Sequence, residues 1–284
     1  GNGHGHDLCI GAEFMSGLGM LGAQKPAPIP TEGLLGSATM PAVFGESGME
    51  YITKHGGSIE DFARISEKNH RNAVLNDKAF LRKETPVDVV LNAETIAYPI
   101  TKLMCSVNVD GSAAAVLMSE KEAKKRGLLD RAIRIRASAV ASDPWQERDP
   151  IMPDINGASR VAAQKAYDAS GVDPKDLALV ELHDCFAPAE IQHYENLQLC
   201  GTGEGIALLR DGETERSGKI PVNVSGGLLS KGHPIAATGI ANMYEIALHL
   251  RDQAGERQVE GAKIGMTHVV GLGTASAVHI LEKA

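Results

Sequence analysis

Hydrophobic and polar positions along the chain follow two patterns, one typical of strands and the other typical of helices. Continuous apolar runs that suit the buried strands of a parallel sheet occupy 177–182 and 263–270, and alternating residues predict a strand over 132–141. Shorter runs of small or apolar residues predict three more strands, over 7–14, 110–119 and 276–281. The strands therefore form an early and a late series.

Helical periodicity predicts helices between these strands. They cover 49–55, 58–73, 156–169 and 188–199, with further helix starts at 85–86 and 92–93 and a last helix from about residue 236. The buried stripe of that last helix is predicted to consist of Ile240, Met243, Ala247 and Leu250. Residues 24–48 are rich in Pro and Gly and lack periodicity, which predicts an extended loop.

A short stretch of sequence recurs in the two series of strands. Residues 111–118 resemble 273–281, and residues 9–12 resemble 264–267. Each pair falls at the end of its half, so we predict an α/β fold built from two duplicated βα halves. The halves are assigned to 1–130, which includes a loop or cap region at about 24–104, and to 131–284. The first half keeps its last two strands and lacks the earlier βα units.

Composition and charge narrow the classes of function. The 284 residues are 43% hydrophobic and 23% charged, with a formal net charge of −8 and no long basic run. This balance argues against nucleic-acid partners and anionic membranes, because both bind clustered Lys and Arg. Four irregularly spaced cysteines favour free thiols in a reducing compartment, so a cytoplasmic location is expected. No apolar run approaches the length of a membrane-spanning helix.

The most informative stretch is 223–239, in which two glycines lead to a Gly-His-Pro sequence and a helix. Pro234 disfavours helical backbone at His233, which places the imidazole at the entrance of the helix. Free N–H groups and the helix dipole favour an anion there. A histidine in this setting suits proton transfer or donation to a developing oxyanion. The alternative is a glycine-rich turn with a capping histidine.

A second polar cluster, His183 to Cys185, directly follows the apolar strand 177–182. Ligands of open α/β sheets bind at the carboxyl ends of strands, so the imidazole and the thiol are candidates for acid/base chemistry. Two alternatives stay open. In the first alternative, Cys185 is a buried structural residue beside a capping Asp. The second is a zinc site built from His183, Cys185, His193 and Cys200, which lacks the usual paired spacing. A third element, Gly271 to Gly273, is a tight turn whose backbone N–H groups can bind an oxyanion.

The three clusters, in this order, resemble the thiolase superfamily. Within it the chain is similar to thiolases of the sterol-carrier-protein-x type and to archaeal and bacterial acetyl-CoA acetyltransferases. The similarity covers nearly the whole chain and is carried by residues 110–111, 181–186, 223–239 and 251–265. It implies the layered αβαβα architecture of thiolases, acyl-CoA as substrate, no permanently bound cofactor or metal, and a homodimer or higher oligomer.

The resemblance also implies roles for individual residues. His233 matches the histidine that activates the nucleophilic cysteine, His183 stands where other thiolases bind the thioester oxygen with Asn, and Cys185 matches the acid/base cysteine of this subgroup. Gly273 would supply an oxyanion-hole N–H group, and Gly271 replaces the late cysteine of ordinary thiolases. The residues predicted to contact the substrate are Ser106, Ser225 and Gly226.

One family residue has no counterpart, because the nucleophilic cysteine precedes the strand that matches 7–14. The leading hypothesis is therefore a thiolase-type acyltransferase whose nucleophile lies outside these 284 residues. A thiolase-like aldolase is the second hypothesis, and that branch works with a small OB-fold/zinc-ribbon partner. The third hypothesis is a non-catalytic protein that binds acyl-CoA.

Overall fold

The computed structural model describes residues 6–15, 40–142, 156–271 and 275–284. Its strands are β1 (His6–Glu13), β2 (Thr95–Ala97), β3 (Ile100–Thr101), β4 (Gly111–Met118), β5 (Ile133–Ser142), β6 (Leu179–Glu181), β7 (Ile264–Gly271) and β8 (Ala275–Lys283). Its helices are α1 (Met40–His55), α2 (Ile59–Val74), α3 (Val87–Leu91), α4 (Glu120–Lys125), α5 (Gly157–Ser170), α6 (Ala187–Asn196), α7 (Gly205–Arg210), α8 (Gly227–Ser230) and α9 (Ile235–Leu250). None of these described helices has the length and apolarity needed to cross a bilayer.

Four strands of the second half form one sheet in the order β5-β8-β7-β6. β6 pairs with β7 in parallel, whereas β7–β8 and β5–β8 are antiparallel. The parallel pairing of the apolar run at 177–182 is thus confirmed, although only Leu179–Glu181 has strand geometry. Since β6 ends at Glu181, the predicted His183–Cys185 cluster begins just beyond its carboxyl end.

β1 and β4 pair antiparallel in a separate two-stranded sheet. They correspond to β7 and β8, which are also antiparallel neighbours and carry the repeated sequence. The duplication predicted from the sequence is therefore confirmed by the pairing of the strands.

Helix α9 lies between the two sheets, in contact with β1 and β4 on one side and with β7 on the other. The close approach to β1 depends on Gly11, where an added Cβ would lie 2.2 Å from the carbonyl oxygen of Ala236. Helix α5 packs on β5 and β8. The described residues thus supply a sheet, a helix, a sheet and a helix in layers, which confirms the predicted layered α/β architecture.

The two-stranded sheet has one apolar face that is open to solvent. Its residues Leu8, Ile10 and Val116 are 61%, 64% and 61% exposed. The opposite face, which carries Gly11, is the one covered by α9. Large apolar side chains on one contiguous sheet face are unusual at a free surface and mark a contact surface.

Three predictions of local structure were wrong. Within the predicted loop 24–48, the chain is helical from Met40 onward. Gly45 and Gly48 allow close packing of this helix instead of forming a turn, since an added Cβ at Gly48 would lie 2.8 Å from Pro188. The part of this segment before residue 40 lies outside the described residues. The helix start at 92–93 is instead the end of α3, followed by the β2–β3 hairpin.

The buried side of α9 also differs from the prediction. Ile240, Met243 and Ala247 are only half-buried, whereas polar residues occupy the inner face together with Ile246 and Leu250. These polar residues have partners within the protein: Asn242 accepts a hydrogen bond from Lys231, and Glu245 is paired with Arg257. A helix layered between two sheets is contacted on opposite sides, so a single apolar stripe does not describe its burial.

Candidate active site

The loop after β6 presents His183, Asp184 and Cys185 before α6 begins. His183 is 5% exposed and Cys185 is 7% exposed, so both side chains are almost fully enclosed. The loop is fastened by the backbone of Ser106, whose N–H donates to the carbonyl oxygen of Cys185 at 2.8 Å. An antiparallel bridge between Cys105 and Phe186 continues this contact.

The segment that contains Cys105 and Ser106 also holds the Gly-His-Pro sequence in place. The N–H of His233 donates to the carbonyl oxygen of Val107 at 2.8 Å, and the N–H of Val107 donates to the carbonyl oxygen of Leu228 at 3.4 Å. At Gly232 the backbone has a φ of +105°, and an added Cβ would lie 2.7 Å from Val109. Residues 105–109 therefore form a brace that fixes both site loops relative to each other.

Hydrogen bonds determine which nitrogen of His233 carries the proton. The Thr238 hydroxyl donates to the carbonyl oxygen of Pro234 at 3.0 Å, so it accepts at its oxygen from Nδ1–H of His233, 2.7 Å away. Neutral His233 then has an unprotonated Nε2. Such a nitrogen can accept the proton of a thiol.

The imidazoles of His183 and His233 face each other. Their ring centroids are 5.1 Å apart and their planes are inclined by 82°. Burial, with the positive charge of Lys231, lowers the pKa of His233 to about 4. Burial lowers the pKa of His183 as well, and the neighbouring His233 and His193 add to the effect. Both rings are therefore neutral at pH 7, and Nε2 of His233 is available as a base.

Cys185 is a protonated thiol in this environment. Burial raises the pKa of its thiol well above the ordinary value, and the carboxyl group of Asp184 adds to the effect. A thiol of this kind can donate a proton to a strongly basic carbanion, but it does not attack as a resting nucleophile.

Asp184 connects the His183–Cys185 loop to the stretch that leads to His233. Its carboxylate accepts the N–H groups of Leu228 at 2.7 Å and Leu229 at 3.3 Å, in the first turn of α8. Gly227 is required by this contact, since an added Cβ would lie 2.1 Å from Oδ2 of Asp184 and the φ of Gly227 is +59°. Gly226, with a φ of +100°, packs against Ala73 of α2 in the same way.

A buried polar network beneath Asp184 was not predicted from the sequence. Glu190 forms an ion pair with Lys68 at 2.5 Å and accepts hydrogen bonds from Tyr194, Asn69 and Asn223. Asn69 also donates to Asp184 at 2.8 Å. One signal was present in the sequence, because Asn69 lies four residues after Ile65 on the apolar face of α2.

The remaining predicted site residues occupy different positions. Ser225 is fully buried and its hydroxyl donates to Glu181 at 2.5 Å, while Gly226 lies under α2. Ser106 is half-buried in the brace, next to the Cys185 loop. Gly273 lies outside the described residues. The substrate contacts predicted for Ser106, Ser225 and Gly226 stay predictions.

The zinc alternative finds no matching geometry. Within the part of the chain that the structure describes, no three His, Cys, Asp or Glu side chains come together as metal ligands would. His193 is instead hydrogen-bonded to Asn196 through Nδ1 at 3.0 Å.

Comparison with known proteins identifies the family of the chain. A family model described as thiolase C-terminal domain-like matches residues 142–283. The chain is 39% identical over 276 residues to sterol carrier protein 2 of Oryctolagus cuniculus, covering 96% of this chain and 50% of that protein. It is 38% identical over 246 residues to an acetyl-CoA acetyltransferase of Methanothermobacter thermautotrophicus, covering 86% of this chain and 64% of that protein.

Among solved structures, the chain resembles the Ltp2-ChsH2(DUF35) aldolase with a TM-score of 0.83 and 23% identity. The match covers 98% of this chain and 72% of that one, and at this identity it establishes the shared fold. The chain spans about half the length of the sterol carrier protein 2 relatives that it matches. By its family model, its relatives and its fold, the chain belongs to the thiolase superfamily, in the group that includes the sterol-carrier-protein type.

Proposed function

We propose that this chain carries the acid/base half of a thiolase-type active site, which transfers acyl groups between coenzyme A thioesters. The substrates would be acetoacetyl-CoA or another 3-ketoacyl-CoA, in thiolysis or in the reverse Claisen condensation. The observation that carries the proposal is the neutral His183–His233 pair, with the protonated thiol of Cys185 in the same loop as His183. This set provides a base, an oxyanion donor and a proton donor together.

The nucleophile is proposed to be a cysteine outside these 284 residues. A nucleophilic thiol needs an accessible thiolate, whereas burial raises the pKa of Cys105 and of Cys200 to about 12 each. The thiol of Cys185 is likewise held in its protonated form. Cys9 lies within β1, on the face that α9 covers. None of the four thiols therefore suits the role.

The roles follow from the geometry of the site. Nε2 of His233 takes the proton of the nucleophilic thiol, and the resulting thiolate attacks the carbonyl carbon of the substrate. The imidazole of His183 donates a hydrogen bond to the carbonyl oxygen as negative charge develops there. When the tetrahedral adduct collapses, the bond to the leaving group breaks. Cys185 gives its proton to the carbanion of that group. The Cys185 thiolate then takes the proton of the incoming coenzyme A thiol, whose sulfur accepts the acyl group as its bond to the nucleophilic cysteine breaks.

The open apolar face of the β1–β4 sheet supports the view that the active protein contains residues beyond these 284. Leu8, Ile10 and Val116 would be covered if additional residues packed on this face. A homodimer, as in thiolases, is part of the same proposal.

An aldolase is the second candidate function. It is favoured by the structural similarity to the Ltp2-ChsH2(DUF35) aldolase, whose name joins two proteins. For this chain it would imply a partner protein of the OB-fold/zinc-ribbon kind and cleavage of a β-hydroxyacyl-CoA. The retained set of His183, Cys185 and His233 favours acyl transfer over this alternative.

Product analysis distinguishes the candidates. The complete protein is incubated with acetoacetyl-CoA and coenzyme A and, separately, with a β-hydroxyacyl-CoA. Formation of acetyl-CoA from the first substrate is expected. Release of an aldehyde from the second substrate alone would replace acyl transfer with aldol cleavage. Binding of acyl-CoA without any product would identify a non-catalytic protein.

A further inference from the structure

A fully buried histidine, His268, lies directly behind the site loop. It is in the middle of β7, and its Nδ1 is 3.4 Å from the backbone nitrogen of His183. Its other nitrogen, Nε2, is 2.8 Å from the hydroxyl oxygen of Ser159 on α5. The ring thus links the site loop to α5.

These contacts define the protonation of His268. A backbone N–H can only donate, so Nδ1 is the acceptor for His183 and carries no proton. The proton of the neutral ring is then on Nε2 and points at Ser159, whose own hydroxyl donates to Ser276 at 3.3 Å. Burial, with His193 and His183 nearby, lowers the pKa of His268, so the ring stays neutral at pH 7.

The position of the ring is further restricted by His193 of α6. The two imidazoles are 4.5 Å apart with an interplanar angle of 63°. His193 is itself held through Nδ1 by Asn196. His268 is therefore held by a strand, two helices and two polar contacts in a close-packed interior.

We propose that His268, held in its Nε2–H tautomer by Ser159, is a positioning residue that sets the backbone at His183 and so the angle between the His183 and His233 rings. It does not touch the reacting atoms. Its effect on turnover rests on the proposed function, whereas its effect on the His183 backbone does not. A displacement of about 1 Å in a site of this kind can lower turnover by about 100-fold.

Three variants of the complete protein separate the effect of the His268 hydrogen bonds from the effect of the volume of its side chain. In H268N the amide oxygen reaches the place of Nδ1 and can still accept from His183. H268F keeps a ring of similar size but has no acceptor. S159A leaves His183 and His268 in place and removes the hydroxyl that accepts from Nε2–H of His268 and donates to Ser276.

Long-range ¹H–¹⁵N spectra of the imidazoles report the tautomer, and hydrogen exchange reports the His183 amide. We expect the Nε2–H tautomer in the parent, a mixture of tautomers in S159A, and faster amide exchange at His183 in H268F than in H268N. In acetoacetyl-CoA cleavage, kcat should fall by up to about 100-fold in H268F, with KM little changed, and H268N should recover most of it.

Other results would overturn the inference. These are an Nδ1–H tautomer or a charged ring in the parent at pH 7, or a His183 amide in H268F that exchanges as in the parent. An unchanged tautomer in S159A would overturn the role of Ser159. A parent protein without thioester chemistry would instead overturn the proposed function, and the spectra and exchange rates would still decide the role of His268.

Discussion

The carboxylate of Asp184 accepts the backbone N–H of Leu228 across 2.7 Å, which joins the loop of Cys185 to the stretch that leads to His233. The two elements are more than forty residues apart in the sequence and contribute separate parts of the site. The distance between these two elements is set by this contact and by the contacts that the brace at 105–109 makes with both of them. The geometry of the candidate site is thus fixed by backbone N–H groups, not only by packing of side chains.

Removing the carboxylate should destabilise the fold. Asp184→Ala leaves two buried N–H groups, those of Leu228 and Leu229, without a partner, and each costs about 1–3 kcal/mol. Asp184→Asn keeps one acceptor and should lose about half as much. Urea unfolding of the two variants measures the difference. Equal stability of Asp184→Ala and the parent would show that the carboxylate does not hold the loops together.

Two glycines of the site should respond differently to the same substitution. Gly227→Ala forces a methyl to within 2.1 Å of Asp184 at a φ of +59°, so the free energy of unfolding should fall by about 3 kcal/mol or more. Gly271→Ala is the matched control, since among the described residues its added Cβ meets only Ala275 at 3.9 Å, and it should change stability by about 0.5 kcal/mol. Thermal and urea unfolding test the pair. An unchanged free energy of unfolding in Gly227→Ala would contradict the close approach of Asp184 to Gly227.

The sequence predicted most strands and helices because their signals are local, whereas the layered arrangement was implied by the resemblance to thiolases. Apolar runs, alternation and the repeat at 111–118 and 273–281 each depend on neighbouring residues. The order of the site clusters was also predictable, since both His183 and His233 follow a recognisable strand or precede a helix.

The contacts that unite the clusters could not be read in this way. Lys68 and Glu190 are 122 positions apart, and nothing in either local segment indicates that they form a buried pair. The brace at 105–109 acts through backbone groups, which every residue type carries. The glycines of α1 suggested a loop because the close packing of Gly45 against Tyr98 and of Gly48 against Pro188 is a tertiary property.

The buried histidines should make the protein less stable in mild acid. In the folded state the pKa of His233 is about 4, below the ordinary value of 6.5. As the pH falls from 6.5 to 4, the unfolded chain binds a proton that the folded chain refuses, so the free energy of unfolding falls by roughly 3 kcal/mol from His233 alone. Urea unfolding of the parent and His233→Gln from pH 7 to pH 4 measures this contribution. The variant should lose less stability, and identical pH dependence of the two would contradict the lowered pKa.

Cys185 should affect the chemical step more than substrate binding. Cys185→Ala removes the proton donor, and kcat for acetoacetyl-CoA cleavage by the complete protein should fall by about 10²–10⁴-fold while KM changes little. Cys200→Ala serves as the control, since Cys200 lies outside the site loops and should leave kcat unchanged. A rise in KM at unchanged kcat would make Cys185 a binding residue.

The central claim is that His233 is the base of a thioester site that faces His183. The most direct measurement is the rate of acetoacetyl-CoA cleavage by the complete protein with His233 replaced by Ala, with His55→Ala as the control on α1. We predict that the His233 variant loses turnover while His55→Ala keeps it, and that both remain folded by circular dichroism. Near-normal turnover by folded His233→Ala would contradict the account.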